Sequence, residues 1–178
     1  MSRLSIPIGS DDHTQGDRTA LLSLVEYGDY ECPSCGQIQP VIREIQKHFG
    51  KRLLFAFRNF PLSELHPGAE AAAEAAAYAS KHGKFWEMHY LLFENQDRLS
   101  GPLVLELADR IGLSSSELSV ALEKKTYRSR VRIDFDSGIR SGVNGTPTLF
   151  INDERYDGLL GFDSVVDGIT HVLAASKV

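Results

Sequence analysis

The sequence predicts an α/β fold, and three observations carry that prediction. An apolar run of strand length, Leu21-Leu22-Ser23-Leu24-Val25-Glu26-Tyr27, leads into apolar residues at helical spacing and then a second strand-like run, Arg52 to Phe60. The stretch from about residue 63 to 141 carries only helical periodicity. After Gly145-Thr146-Pro147 the pattern turns back to strand, hairpin and helix. The order is therefore β-α-β, an all-helical insertion, then β-β-α around a central mixed sheet.

Residues 1–18 are polar, with Gly9, Gly16 and Asp11-Asp12-His13, and are expected to form a flexible N-terminal arm. Ile38, Val41, Ile42, Ile45 and Phe49 recur at helical spacing up to Gly50, which suits a helix C-cap. The strand ended by Pro61 follows, and strand–helix–strand order implies parallel pairing through a right-handed crossover. Pro67 suits a first helical turn, and the alanine-rich run up to Gly83 lets another backbone approach closely. Residues 84–96 are apolar over a wide arc, so that helix is expected to be largely buried, with Trp86 as packing. Val104, Leu107, Ala108 and Ile111 form a helical stripe, Ser114 with Glu117 reads as a capping box, and Val131, Phe135, Gly138 and Ile139 give a further stripe. The basic cluster Lys124, Lys125, Arg128, Arg130 and Arg132 reads as a solvated helix face. Thr148 to Ile151, a turn at Asn152-Asp153, a return strand at Arg155-Tyr156-Asp157 and a helix capped by Asp163 complete the chain. The division expected is a core unit of residues 19–62 and 142–178, interrupted by the helical insertion 63–141.

The chemistry lies where the first strand meets the first helix. Cys32-Pro33-Ser34-Cys35 holds the only two cysteines of the chain. A helix N-terminus presents unpaired N–H groups and a partial positive charge, both favourable to a thiolate at Cys32, and Pro33 loses little there by lacking an N–H. Only the thiolate attacks a disulfide, and an ordinary thiol near pKa ~8.5 is mostly protonated at neutral pH. Lowering that value by about two units takes roughly 2.7 kcal/mol. The helix dipole offers ~0.3–2 kcal/mol, so hydrogen bonds, including one from the Cys35 thiol, are expected to add to it. Cys32 is thus expected to be the exposed, acidified nucleophile and Cys35 the shielded resolving thiol. A zinc site would need a second Cys or His pair, and the six histidines show no ligand spacing, so no metal or organic cofactor is expected. A structural disulfide closing so short a loop would stabilise little.

Strand alternation places Glu26 on the face of Leu22 and Leu24, pointing inward. Desolvation would raise its pKa toward the range of a general acid or base at neutral pH. The alternative is a strand-end carboxylate that reaches solvent. His66 and His89 are expected in core or capping roles. A net charge of −5 disfavours nucleic acid or an anionic membrane as partner, and no apolar run reaches the ~18 residues of a membrane span. The N-terminal residues lack the apolar core of a secretory signal, which points to the cytoplasm, with a periplasmic or other extracytoplasmic location if a leader has been removed.

The order of elements, Glu26-Tyr27, Cys32-Pro33-Ser34-Cys35, Arg58-Asn59-Phe60-Pro61, Gly83-Lys84-Phe85-Trp86 and Gly145-Thr146-Pro147-Thr148 together resemble the thioredoxin fold with helical insertion of the DsbA-like thiol-disulfide oxidoreductases. The resemblance covers about residues 20 to 175. It implies that Cys32 is the nucleophile, Cys35 the resolving cysteine, and Glu26 the buried acid that exchanges a proton with Cys35. It implies a cis Pro147 against the cysteines, with Thr146 offering its backbone to a substrate strand and Pro33 and Ser34 as further substrate contacts. Partners are then protein or peptide thiols and disulfides, with glutathione or a reductase or oxidase to reset the dithiol. Ser34 stands where the family's founding members carry His, and this departure is expected to leave the thiolate less stabilised and the disulfide less oxidising. Two rival readings are a redox-gated peptide-binding module or chaperone without turnover, and a glutathione-dependent transferase or isomerase on the same fold.

Overall fold

The computed structural model describes residues 2–175. The first apolar run forms β2 (Leu22–Gly28), preceded by a short strand β1 (His13–Gly16). Helix α1 (Pro33–Phe49) follows, then β3 (Leu53–Asn59). Helices α2 (Ala69–Lys81), α3 (Phe85–Glu94), α4 (Gly101–Arg110), α5 (Ser115–Glu123) and α6 (Arg128–Arg140) lie between β3 and β4 (Thr148–Ile151). Strand β5 (Glu154–Tyr156) and helix α7 (Phe162–Ala175) close the chain.

The five strands pair in the order β1-β3-β2-β4-β5. Among the described residues only β2 and β3 are parallel, joined through α1 as the crossover rule requires. β1 pairs antiparallel with β3, and β4 pairs antiparallel with both β2 and β5. Alternation along β2 sends Leu22 and Leu24 into the main core, with Ile38, Ile42 and Ile45 of α1, and sends Val25 and Tyr27 into a smaller core on the opposite face. The alanines of α2 other than Ala71 are buried among α3 to α6, the close approach expected of a helix with small side chains.

The expectation of a flexible arm over residues 1–18 is corrected. Thr14 on β1 accepts the Trp86 indole N–H at 3.2 Å, and Leu4 N–H donates to Asp153 at 2.8 Å. The physical reason is Arg58, which is buried on β3. Its guanidinium takes Asp12 as a bidentate partner at 2.7 and 2.9 Å and the carbonyls of Ile6 and Pro7 as further acceptors. A buried guanidinium needs its donors met, and the polar N-terminal segment meets them.

Smaller corrections concern helix faces. Ile139 is exposed, and the buried face of α6 is completed by Asp134 and Ser137. Asp134 accepts from the Asn59 N–H at 3.1 Å, and Ser137 shares a 2.8 Å hydrogen bond with the Tyr27 hydroxyl. Ser114 caps α5 by accepting from Glu117 N–H at 3.2 Å. The Glu117 carboxylate accepts from the Tyr78 hydroxyl at 3.4 Å, so it is drawn toward α2. The basic cluster lies at the surface, with Arg128 paired to Glu70 of α2 and Arg130 and Arg132 paired one turn on to Asp134 and Asp136.

Candidate active site

Cys32 is the N-cap of α1 and Pro33 occupies its first turn. The N–H groups of Cys35 and Gly36 close on the Cys32 carbonyl at 3.0 and 3.2 Å, so the dithiol rides on a tight helical start. Both cysteines are free thiols. Pro33 and Ser34 are exposed, and Thr146 and Pro147 are half-buried at the other side of the site. The Thr146–Pro147 peptide bond is cis. The Cys32 thiol donates to the Thr146 carbonyl at 3.3 Å, which brings the two predicted halves of the site together.

That contact corrects the expectation of an exposed nucleophile: Cys32 is 7% exposed, because the Thr146 segment lies over its sulfur, and Cys35 is fully buried. The two thiols are nevertheless driven apart in acidity. The Cys35 thiol's hydrogen bond brings Cys32 down to about 5, with help from the Thr146 side chain and the N–H groups of Cys35 and Ser34, against the opposing effect of burial. Among the described residues the buried Thr146 hydroxyl has no hydrogen-bond partner, which leaves it available to a sulfur anion. Burial drives Cys35 far above the ordinary thiol range, and its bond to Cys32 and the Glu26 charge push the same way. Ser34 contributes through its backbone N–H.

Glu26 is fully buried, as its place in the strand requires. Desolvation raises its carboxyl to about 8, outweighing the two hydrogen bonds that the Gln39 amide donates to it at 3.1 and 3.2 Å. The same amide reaches the Cys35 backbone carbonyl at 3.3 Å, so Gln39 ties the buried acid to the backbone of the helical turn that carries the buried thiol.

Three contributors were not singled out from the sequence. Gln39 lies on the buried stripe of α1, one turn after Cys35, and a polar residue in an apolar stripe is the signal that marks it. Asp29 donates its N–H to Cys35 Sγ at 3.4 Å, and its carboxylate accepts from the N–H groups of Glu31 and Leu62, each at 2.8 Å, and meets His66 Nδ1 at 2.8 Å. Burial would lower His66, but the Asp29 partner outweighs it and holds the ring above its ordinary value. Gln96, just past α3, donates to the carbonyls of Tyr30 and Cys32 at 2.9 and 2.8 Å, and nothing local in the sequence points to it. Among the described residues, no cluster of three or more His, Cys, Asp or Glu side chains is arranged to hold a metal.

The sequence matches the family model described as Thioredoxin over residues 9–170. The chain belongs to the thioredoxin family. BdbD from Bacillus subtilis, in its oxidised crystal structure, is 27% identical and superposes with a TM-score of 0.86 over 96% of this chain and 97% of that one. Wolbachia pipientis α-DsbA1 shares the fold with a TM-score of 0.80 at 18% identity, covering 93% of this chain and 92% of that one. The fold is thus shared with BdbD and with α-DsbA1. By sequence, the Na(+)/H(+) antiporter NhaA 1 of Salinispora arenicola is 37% identical over 176 residues, covering 98% of this chain but 27% of that protein. The antiporter NhaA 3 of Salinispora tropica matches at 36% over the same share. This chain therefore spans about a quarter of the length of these curated relatives. Among the described residues, no helix is long and apolar enough to cross a membrane.

Proposed function

We propose that the protein exchanges disulfides with protein or peptide thiols through Cys32 and Cys35, working in the oxidising direction. The observation that carries this reading is the opposed acidity of two sulfurs in one helical turn. A Cys32 thiol near 5 is about 99% thiolate at pH 7. A stabilised thiolate favours the dithiol form and so makes the disulfide the better oxidant.

In the proposed cycle, a substrate thiolate attacks the Cys32 sulfur of the oxidised protein. The Cys32–Cys35 bond breaks, and Cys35 leaves with the electron pair and is protonated, Glu26 being the buried acid that faces it. A second substrate thiolate attacks the substrate sulfur of the mixed disulfide, and Cys32 departs as the thiolate held by its donors. Two electrons pass from substrate to protein, and an external oxidant, unidentified here, resets the disulfide. Thr146, whose carbonyl meets the Cys32 thiol, the adjoining Pro147 and the exposed Pro33 and Ser34 would be the surface that meets the substrate chain.

Oxidation of a reduced dithiol peptide tests the reading: Cys32→Ser and Cys35→Ala are each expected to abolish turnover, because neither can hold the disulfide that oxidises the peptide, and Cys35→Ala offered a peptide disulfide instead is expected to stall as a mixed disulfide. Turnover retained in Cys32→Ser would overturn it. The Cys32–Cys35 potential is expected between the about −270 mV of thioredoxin and the about −120 mV of the strongest oxidants, and a value below that window reverses the direction proposed.

A second reading is favoured by one observation, that relatives of this chain are segments of proteins named as Na(+)/H(+) antiporters. There the dithiol would gate binding to a membrane ion transporter instead of turning over. Cys32→Ser that keeps transporter binding while the wild type shows no peptide turnover would select it.

A further inference from the structure

A chain of buried polar groups runs from Glu26 into the helical insertion, and thiol–disulfide exchange by itself does not call for it. Gln39 faces three acceptors with its amide nitrogen, the two Glu26 oxygens and the Cys35 carbonyl. Its Oε1 is thereby turned toward His89 Nε2 at 3.2 Å. An amide oxygen can only accept, so His89 carries its proton on Nε2 and presents a bare Nδ1. The Tyr30 hydroxyl, 3.1 Å away, donates to that nitrogen. Burial holds His89 neutral, with its pKa down at about 3, and the rings of Phe57, Phe93 and Trp86 pack at 4.6–5.0 Å around it. Every donor in the series, from Tyr30 through His89 and Gln39, points toward Glu26. Such aligned bonds polarise one another.

The other groups facing Glu26 are known from each element around it. Cys32 and Cys35 face it from α1 and Tyr30 from the turn after β2. Its sheet partners, Phe57 on β3 and Leu149 on β4, are apolar. The series through Gln39 is therefore the stabilisation of the Glu26 anion that this site provides.

We propose that His89 is a positioning residue, which through Gln39 orients and strengthens the donors on Glu26 and so sets how readily Glu26 releases its proton. The inference rests on the proposed role of Glu26 as the proton partner of Cys35. It gives the helical insertion a part in the chemistry, since His89 belongs to α3 and the dithiol to α1.

The test follows the Glu26 side-chain carboxyl by carbon NMR against pH in the reduced protein. Replacing His89→Phe keeps a ring in the aromatic shell and removes both nitrogens; proton affinity at Glu26 is expected to rise about tenfold. Tyr30→Phe removes one oxygen at the far end, with an expected rise of about threefold, and it decides the matter alone if His89→Phe does not fold. Cooperative thermal melts confirm the fold of each variant. A Glu26 midpoint that stays put or moves down in a folded variant overturns the proposal and leaves His89 as core packing. Because this titration needs no turnover, its failure is separate from failure of the exchange reading, which the peptide-oxidation assay decides.

Discussion

The outward and inward sides of the dithiol turn differ in almost everything but residue type. Outward, Cys32 meets a carbonyl, a buried hydroxyl that lacks a hydrogen-bond partner and the N–H groups of a helix start. Inward, Cys35 is fully buried under the influence of the Glu26 carboxyl, with its backbone carbonyl on the Gln39 amide. One thiol is acidified and the other is held protonated, although only two residues separate them. Which donors survive desolvation decides thiol acidity here. Position in the helix contributes a smaller share.

The largest effect expected from disturbing this contrast lies on the inward side. Burial raises Glu26 from an ordinary 4.5 to about 8, so the folded protein holds a proton that the unfolded chain has lost between those values. The Glu26 contribution to stability therefore falls as pH rises from 4.5 to 8, reaching a cost of about 5 kcal/mol above that window. Urea unfolding of the reduced Glu26→Gln variant is expected to show that variant gaining on wild type across this range. A constant difference between pH 5 and 8.5 would refute the burial account.

Next is the link between the two sides. Cys35→Ala removes the donor that contributes most to Cys32 acidity, and the pH midpoint of Cys32 alkylation is expected to rise from about 5 by roughly 1–2 pH units. The smallest change is outward. Thr146→Val deletes the hydroxyl, and the same midpoint is expected to rise by roughly half a pH unit. Stability is expected to hold, because a buried hydroxyl that lacks a partner is removed.

The sequence made much of this legible, for reasons that are local. A run such as Leu22 to Tyr27 fixes its own strand and faces, so the inward turn of Glu26 followed from alternation. Cys32 at a helix start followed from the stripe beginning at Ile38. What stayed hidden depends on residues far apart in the chain. His13-Thr14-Gln15-Gly16 has no apolar alternation, and it becomes a strand because β3 offers it an edge. Gln39 and His89 are 50 positions apart, and neither pattern contains the other. The cover over Cys32 comes from Thr146, whose distance to the sulfur no local periodicity encodes.

One amide, that of Gln96, holds the carbonyls of both Tyr30 and Cys32, and its oxygen occupies the space where a side chain on Gly36 would begin. The reactive turn is thus clamped from outside by a residue of the inserted helices, and a bare glycine leaves room for the clamp. A shortened protein that kept both sulfurs and every strand but lost that inserted block would keep the reagents and lose the grip that aims them.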